Sequence, residues 1–110
     1  MNKLSLSVTA REQSRKAAAQ SSGRAAVTVY GGHDHSLRQT VIALSAGSSL
    51  TEHENPGEAT VHVLTGRVRL DGSATSWEGS PGDLLVVPPE RHSLTALEES
   101  AVLLTVVKPG

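Results

Sequence analysis

The chain has no cysteine. That removes disulfides, thiolate metal sites and cysteine nucleophiles together, so any chemistry falls to histidines, carboxylates and hydroxyls. Aromatic residues are nearly missing as well: Tyr30 and Trp77 are the two present, and phenylalanine is absent. A core must then be built from Val, Leu, Ile and Ala, and a pocket has little to stack on a flat ligand. No long block of one charge sign occurs, since 10 Lys and Arg stand against 11 Asp and Glu. Such a surface offers no coat for nucleic acid or for an anionic membrane. No apolar run approaches the roughly 20 residues of a membrane-spanning helix, and "MNKLSLSVTA" lacks the apolar region of a signal peptide. The expectation is a soluble, cytoplasmic protein with neither a nucleic-acid nor a membrane partner. No Gly-x-Ser-x-Gly elbow and no phosphate-cradling loop is present, which leaves serine-hydrolase and nucleotide-binding chemistry without a basis.

What is present is a single-domain length of 110 residues with two textures. "TAREQSRKAAAQSSG" predicts a short helix: Thr9 caps, Glu12 follows three residues later, the middle is Ala-rich and Gly23 ends it. Because that helix is largely polar, it is expected on the surface or against a partner subunit. From residue 25 onward the sequence turns to short β-type runs, "AAVTVY", "LRQTVIAL", "ATVHVL", "RVRLD", "TSWE", "LLVVP", "HSLTAL" and "AVLLTVV". Turn-forming stretches such as "GGHDH", "NPGE", "DGS" and "PPER" separate them. We therefore divide the chain into an N-terminal helical segment, 1–24, and a β domain, 25–110, of sandwich or barrel type. In "ATVHVL" alternation puts Ala59, Val61 and Val63 on one face, the likelier interior, and Thr60, His62 and Leu64 on the other.

Two stretches carry a resemblance. In "GSSLTEHENPGEATVHVLTG" the residues Gly47, His53 and Gly66 fall where a metal-binding barrel motif places a glycine, its first histidine and its final glycine. Asn55 takes the place of that motif's second histidine, and Ala59 the place of its glutamate. In "GDLLVVPPERH" Gly82 and Pro88 match a second motif, Glu90 replaces its glycine, and His92 arrives one residue early. The two motifs together resemble the cupin superfamily over roughly residues 37 to 107. The resemblance implies an all-β, cupin-type jelly-roll β-barrel with a short N-terminal helix. It also implies that the four metal ligands map onto His53, Asn55, Ala59 and His92, so two imidazoles survive, an amide replaces one and a methyl replaces the carboxylate.

His53 and His92 are thus the leading candidates, far apart in sequence and brought together by a barrel. Asn55 offers an amide oxygen. Glu58 is the nearest carboxylate, yet strand alternation turns it from the Ala59 face unless the "NPG" turn shifts the register. Glu90 lies in a loop from which it can swing toward His92. The candidate metal set is His53, His92, Asn55 and Glu58, and the metal a divalent transition ion, Fe, Mn, Ni or Zn. Equally open is a metal-free reading, in which both histidines line a polar pocket. His33 and His35 in "GGHDH" are expected in an exposed hairpin loop, His62 on the outside of its strand, Arg67 and Arg69 in solvent or at a dimer edge, and Trp77 as filler.

Two functions follow. In one, the barrel binds a divalent metal or a small organic ligand through a His53/His92 pocket and acts as a metal-dependent enzyme of the dioxygenase, isomerase or cyclase kind that the resemblance implies. In the other it is a non-catalytic small-molecule binding or sensing module. With either, a homodimer through "AAVTVY" and the Ala-rich helix is expected, because pairing removes a bare sheet edge.

Overall fold

The computed structural model describes residues 3–53 and 57–108, with 51–53 described through their backbone. Among the described residues one helix precedes nine strands: α1 (Leu6–Ala19), β1 (Arg24–Tyr30), β2 (Leu37–Leu44), β3 (Ser49–His53), β4 (Glu58–Thr65), β5 (Val68–Asp71), β6 (Ser76–Gly79), β7 (Leu84–Val86), β8 (His92–Ala96) and β9 (Ser100–Val107). They form a five-stranded sheet, β1-β2-β9-β4-β7, and a four-stranded sheet, β3-β8-β5-β6. This is the all-β jelly roll expected, with its short N-terminal helix in front. Every strand expected from the sequence is present, and β3 is added to them.

The interior follows from alternation. Ala59, Val61 and Val63 of β4 are buried between the sheets while Thr60, His62 and Leu64 are only half-buried. Leu44, Val68, Leu70, Leu94 and Val102 close the same core, each fully buried aliphatic side chain contributing about 1.5–3 kcal/mol. Two strands break the alternation: Val41 to Leu44 of β2 and Ser100 to Leu103 of β9 are buried without interruption. These strands are covered on both faces. Ile42, Leu44 and Val102 face the other sheet, and Ala43 and Ala101 pack under α1 against Ala10 and Ala17.

The helix therefore lies on its own sheet, held by a strip of small residues. It begins earlier than the sequence predicts. Ser5, not Thr9, is the cap, its side chain accepting the Val8 N–H at 3.2 Å, and the Thr9 hydroxyl donates back to the Ser5 carbonyl at 2.9 Å. Thr9, Ala10, Gln13 and Ala17 form its buried face.

Gly66, in the tight turn between β4 and β5, has φ +78°, and a Cβ there would lie 2.2 Å from the Glu99 carbonyl oxygen. Only glycine fits both demands. The turn thereby packs directly on the β8–β9 connection, where Ser100 Oγ lies 3.0 Å from the Arg67 carbonyl. No helix among the described residues is long and apolar enough to cross a membrane.

Candidate functional site

β8 begins at His92, and its burial alternates from that residue: His92, Leu94 and Ala96 are buried, Ser93 and Thr95 half-buried. The strand phase thus turns His92 inward, although it stands one residue early against the motif. Its side chain is 7% exposed and lines a cavity of about 30 Å³ whose other walls are aliphatic, with Ile42, Leu50, Leu70 and Leu94 among them. Among the residues that line this cavity His92 alone is polar. Its size decides what fits. A void needs about 10–15 Å³ to hold one water, whereas pockets for small organic molecules run to about 300–1,000 Å³. This cavity has room for one or two water-sized groups.

Across from β8 runs β3, the strand that the sequence did not announce. Leu50 pairs with Leu94, and then the register shifts so that His53 pairs with His92. An unshifted ladder from Leu50 would set His53 opposite Arg91. The extra residue on β3, a β-bulge, moves it one place along. Two histidines 39 positions apart by their numbers become cross-strand partners.

His92 is oriented by its own loop. Its Nδ1–H donates to the Glu90 carbonyl at 2.9 Å; a carbonyl only accepts, so Nδ1 carries a proton, and in the neutral ring the lone pair is on Nε2. Metal-binding histidines are fixed in this way, by a carbonyl or carboxylate on the nitrogen away from the ion. The Glu90 carboxylate does not swing toward His92. Its Oε1 accepts the Ser73 N–H at 3.0 Å and its Oε2 the Ser73 hydroxyl at 2.8 Å. The Ser73 hydroxyl and amide bonds hold the Glu90 carboxyl below the usual carboxylate range, partly opposed by desolvation and helped slightly by the His92 charge.

No protein-family model and no curated protein matches the sequence. Solved structures do match the fold. A cupin superfamily protein from Desulfitobacterium hafniense DCB-2 superposes with a TM-score of 0.72 at 16% identity, over 78% of this chain and 78% of that one. An RmlC-like cupin from Shewanella frigidimarina NCIMB 400 does so with 0.70 at 18%, over 80% and 78%. The chain folds as a small cupin. A conserved protein of unknown function from Streptococcus pyogenes is also similar, with a TM-score of 0.74 at 28% identity over 83% of this chain and 79% of that one.

Set on the cupin fold, the candidate ligands separate. Ala59, at the cupin glutamate position, is buried in the core, so a methyl occupies the place of the carboxylate. Glu58 is exposed at the first position of β4, on the side away from Ala59; the register shift that would bring it inward is not there. Asn55 lies outside the described residues. Among the described residues no three His, Asp or Glu side chains gather closely enough to hold a metal ion. The donor chemistry of His92 fits a metal, whereas the Glu58 side chain is exposed.

The remaining histidines and arginines sit where the sequence suggests. His33 and His35 are exposed in the β1–β2 loop, with the His35 ring edge-on to Tyr30 at 5.3 Å. His62 is half-buried on the outer face of β4. Arg67 pairs with Glu78 and Arg69 with Asp71, each pair partly solvated. Trp77 is 53% exposed on the edge strand β6 and fills no core. Sequence reasoning overlooked Ser73, which "DGS" offers only as part of a turn.

Proposed function

We propose that this small cupin binds a divalent transition metal, Fe, Mn, Ni or Zn, at the inner mouth of the sheet sandwich through His53 and His92. The observation that carries the reading is the β3 bulge, which makes the two histidines register partners. The Glu90 carbonyl supports it by committing His92 Nδ1, so that Nε2 is the nitrogen that would meet an ion.

A metal held there by His53 and His92 would supply Lewis-acid polarisation to an oxygen ligand. The chain's own residues do the rest. His92 orients its donor nitrogen, and the aliphatic wall behind it keeps bulk water from the inner side. The small cavity volume argues for a ligand that meets the site at its mouth and does not enter the core. The same volume and lining weigh against a metal-free pocket that swallows a metabolite.

The test is metal content of tag-free protein after equilibration with each of the four ions, repeated on His53→Ala and His92→Ala. One ion per chain, lost in both variants, supports the proposal. Wild-type protein that retains no ion would overturn it.

A further inference from the structure

Glu90 is tied at both ends. Its carboxylate takes both donors of Ser73, the backbone N–H at 3.0 Å and the hydroxyl at 2.8 Å. Its carbonyl takes the His92 Nδ1–H at 2.9 Å. Ser73 belongs to the β5–β6 hairpin turn, which is closed by the Gly72 N–H donating to the Thr75 carbonyl at 2.8 Å. That hairpin is anchored in the four-stranded sheet, where β5 pairs with β6 on one side and β8 on the other.

The turn is shaped to receive the carboxylate. A Cβ on Gly72 would stand 2.5 Å from Glu90 Oε1, so the glycine clears the space the carboxylate occupies. An amide and a hydroxyl from one residue then meet two oxygens of one carboxylate, a forked contact that fixes direction as well as distance. On the other side, Pro88 and Pro89 precede Glu90 and lock their own φ angles, leaving the loop few ways to place the Glu90 carbonyl once the carboxylate is held.

We propose that Glu90 is the positioning residue of the site: clamped by Ser73, it holds its carbonyl where it fixes the His92 ring and the proton on Nδ1. It never needs to touch a ligand. The inference deepens the metal-binding reading and rests on it for its purpose, while its geometry stands without metal. It also explains why a glutamate can stand where the cupin motif has a glycine: the side chain leaves the loop and docks on the neighbouring hairpin.

The experiment is ¹⁵N NMR of the His92 imidazole in metal-free protein at about pH 8, above the usual imidazole range near 6.5, followed by Zn(II) titration of the same samples. In wild type the Nδ1–H tautomer dominates. Glu90→Ala and Ser73→Ala each shift the ring toward the tautomer mixture of free imidazole and weaken Zn(II) by about tenfold, the lower end of second-sphere effects. The double variant shows no more loss than Glu90→Ala alone, because Ser73→Ala removes only the hydroxyl half of the same clamp. Glu90→Gln retains the wild-type tautomer, its amide oxygen accepting the Ser73 N–H and its NH₂ donating to the hydroxyl.

An unchanged tautomer in Glu90→Ala and Ser73→Ala, with both folded by their backbone spectra, overturns the proposal. So does additive loss in the double variant. Should wild type bind no Zn(II) while the tautomer still responds to both substitutions, the clamp stands and the metal-binding reading falls.

Discussion

Replacing His92 with leucine should leave the fold about as stable as it is now while abolishing the proposed Zn(II) binding. His92 is 7% exposed among aliphatic neighbours, and leucine has similar bulk, so neither a large void nor much overpacking results. Full burial of a leucine is worth about 1.5–3 kcal/mol against exposure, part of which the imidazole ring already contributes. Against the gain stands the lost hydrogen bond to the Glu90 carbonyl, about 0.5–1.5 kcal/mol. The two nearly cancel, and the net change should stay within about 1 kcal/mol. Leu94, two residues along on the same inward face and 4% exposed, is the control: Leu94→Ala should cost about 3 kcal/mol, inside the usual range of about 2–5. Urea unfolding with unchanged m-values measures both, and Zn(II) titration tests the proposed metal binding. A loss of 3 kcal/mol or more (roughly the scale of a core truncation) in His92→Leu would refute the reasoning, because His92 would then be a structural keystone rather than a group kept for binding.

Three further outcomes are expected. Gly66→Ala forces a Cβ into the Glu99 carbonyl at a φ of +78° and should cost at least about 2 kcal/mol, visible as a lowered thermal midpoint; a neutral result would mean that the turn relaxes freely. Ala17→Leu, which overfills the contact of α1 with Ala43 and Ala101, should cost about 1–3 kcal/mol, whereas Ala18→Leu on the exposed side of the same turn should be near neutral, and equal effects would misplace the helix. On acidification the Ser73 amide shift should titrate below about 4.3, the ordinary carboxylate value, because the folded pKa of Glu90 is lowered. The clamp's contribution is complete above that value and disappears as pH falls through the folded pKa; a midpoint above 4.3 (the same reference) would contradict the two Ser73 bonds.

Much of the fold can be read from local pattern, and the exceptions are instructive. Alternation in "ATVHVL" gives the correct inward face because β4 has a core on one side and half-solvated residues on the other. "TVIAL" and "AVLLTVV" do not alternate, and the reason lies outside those strands, in a helix that covers their second face. β3 is nearly silent: "SLTEH" has one apolar residue, Leu50, and no local signal outweighs its polarity. Its strand character comes from pairing with β8. The helix start was missed because Ser5 and Thr9 are both competent caps, and only the contact with Val8 tells them apart.

For the site, the histidines were legible and their meeting was not. Spacing identified His53 and His92 through a glycine and a proline that hold their motif places. The one-residue bulge that sets them opposite one another is a property of the ladder, with no mark in composition. Ser73 was out of reach for a similar reason: 17 positions separate it from Glu90, and only the hairpin brings the two together. Glu58 had the right chemistry and the wrong parity, as strand geometry warns.

The measurement that goes to the centre is X-ray absorption of the 1:1 Zn(II) complex, with the imidazole shells counted in the wild type and in His53→Ala. Two imidazoles in the wild type and one in the variant are predicted. A single imidazole in both would leave His92 without its partner and contradict the account.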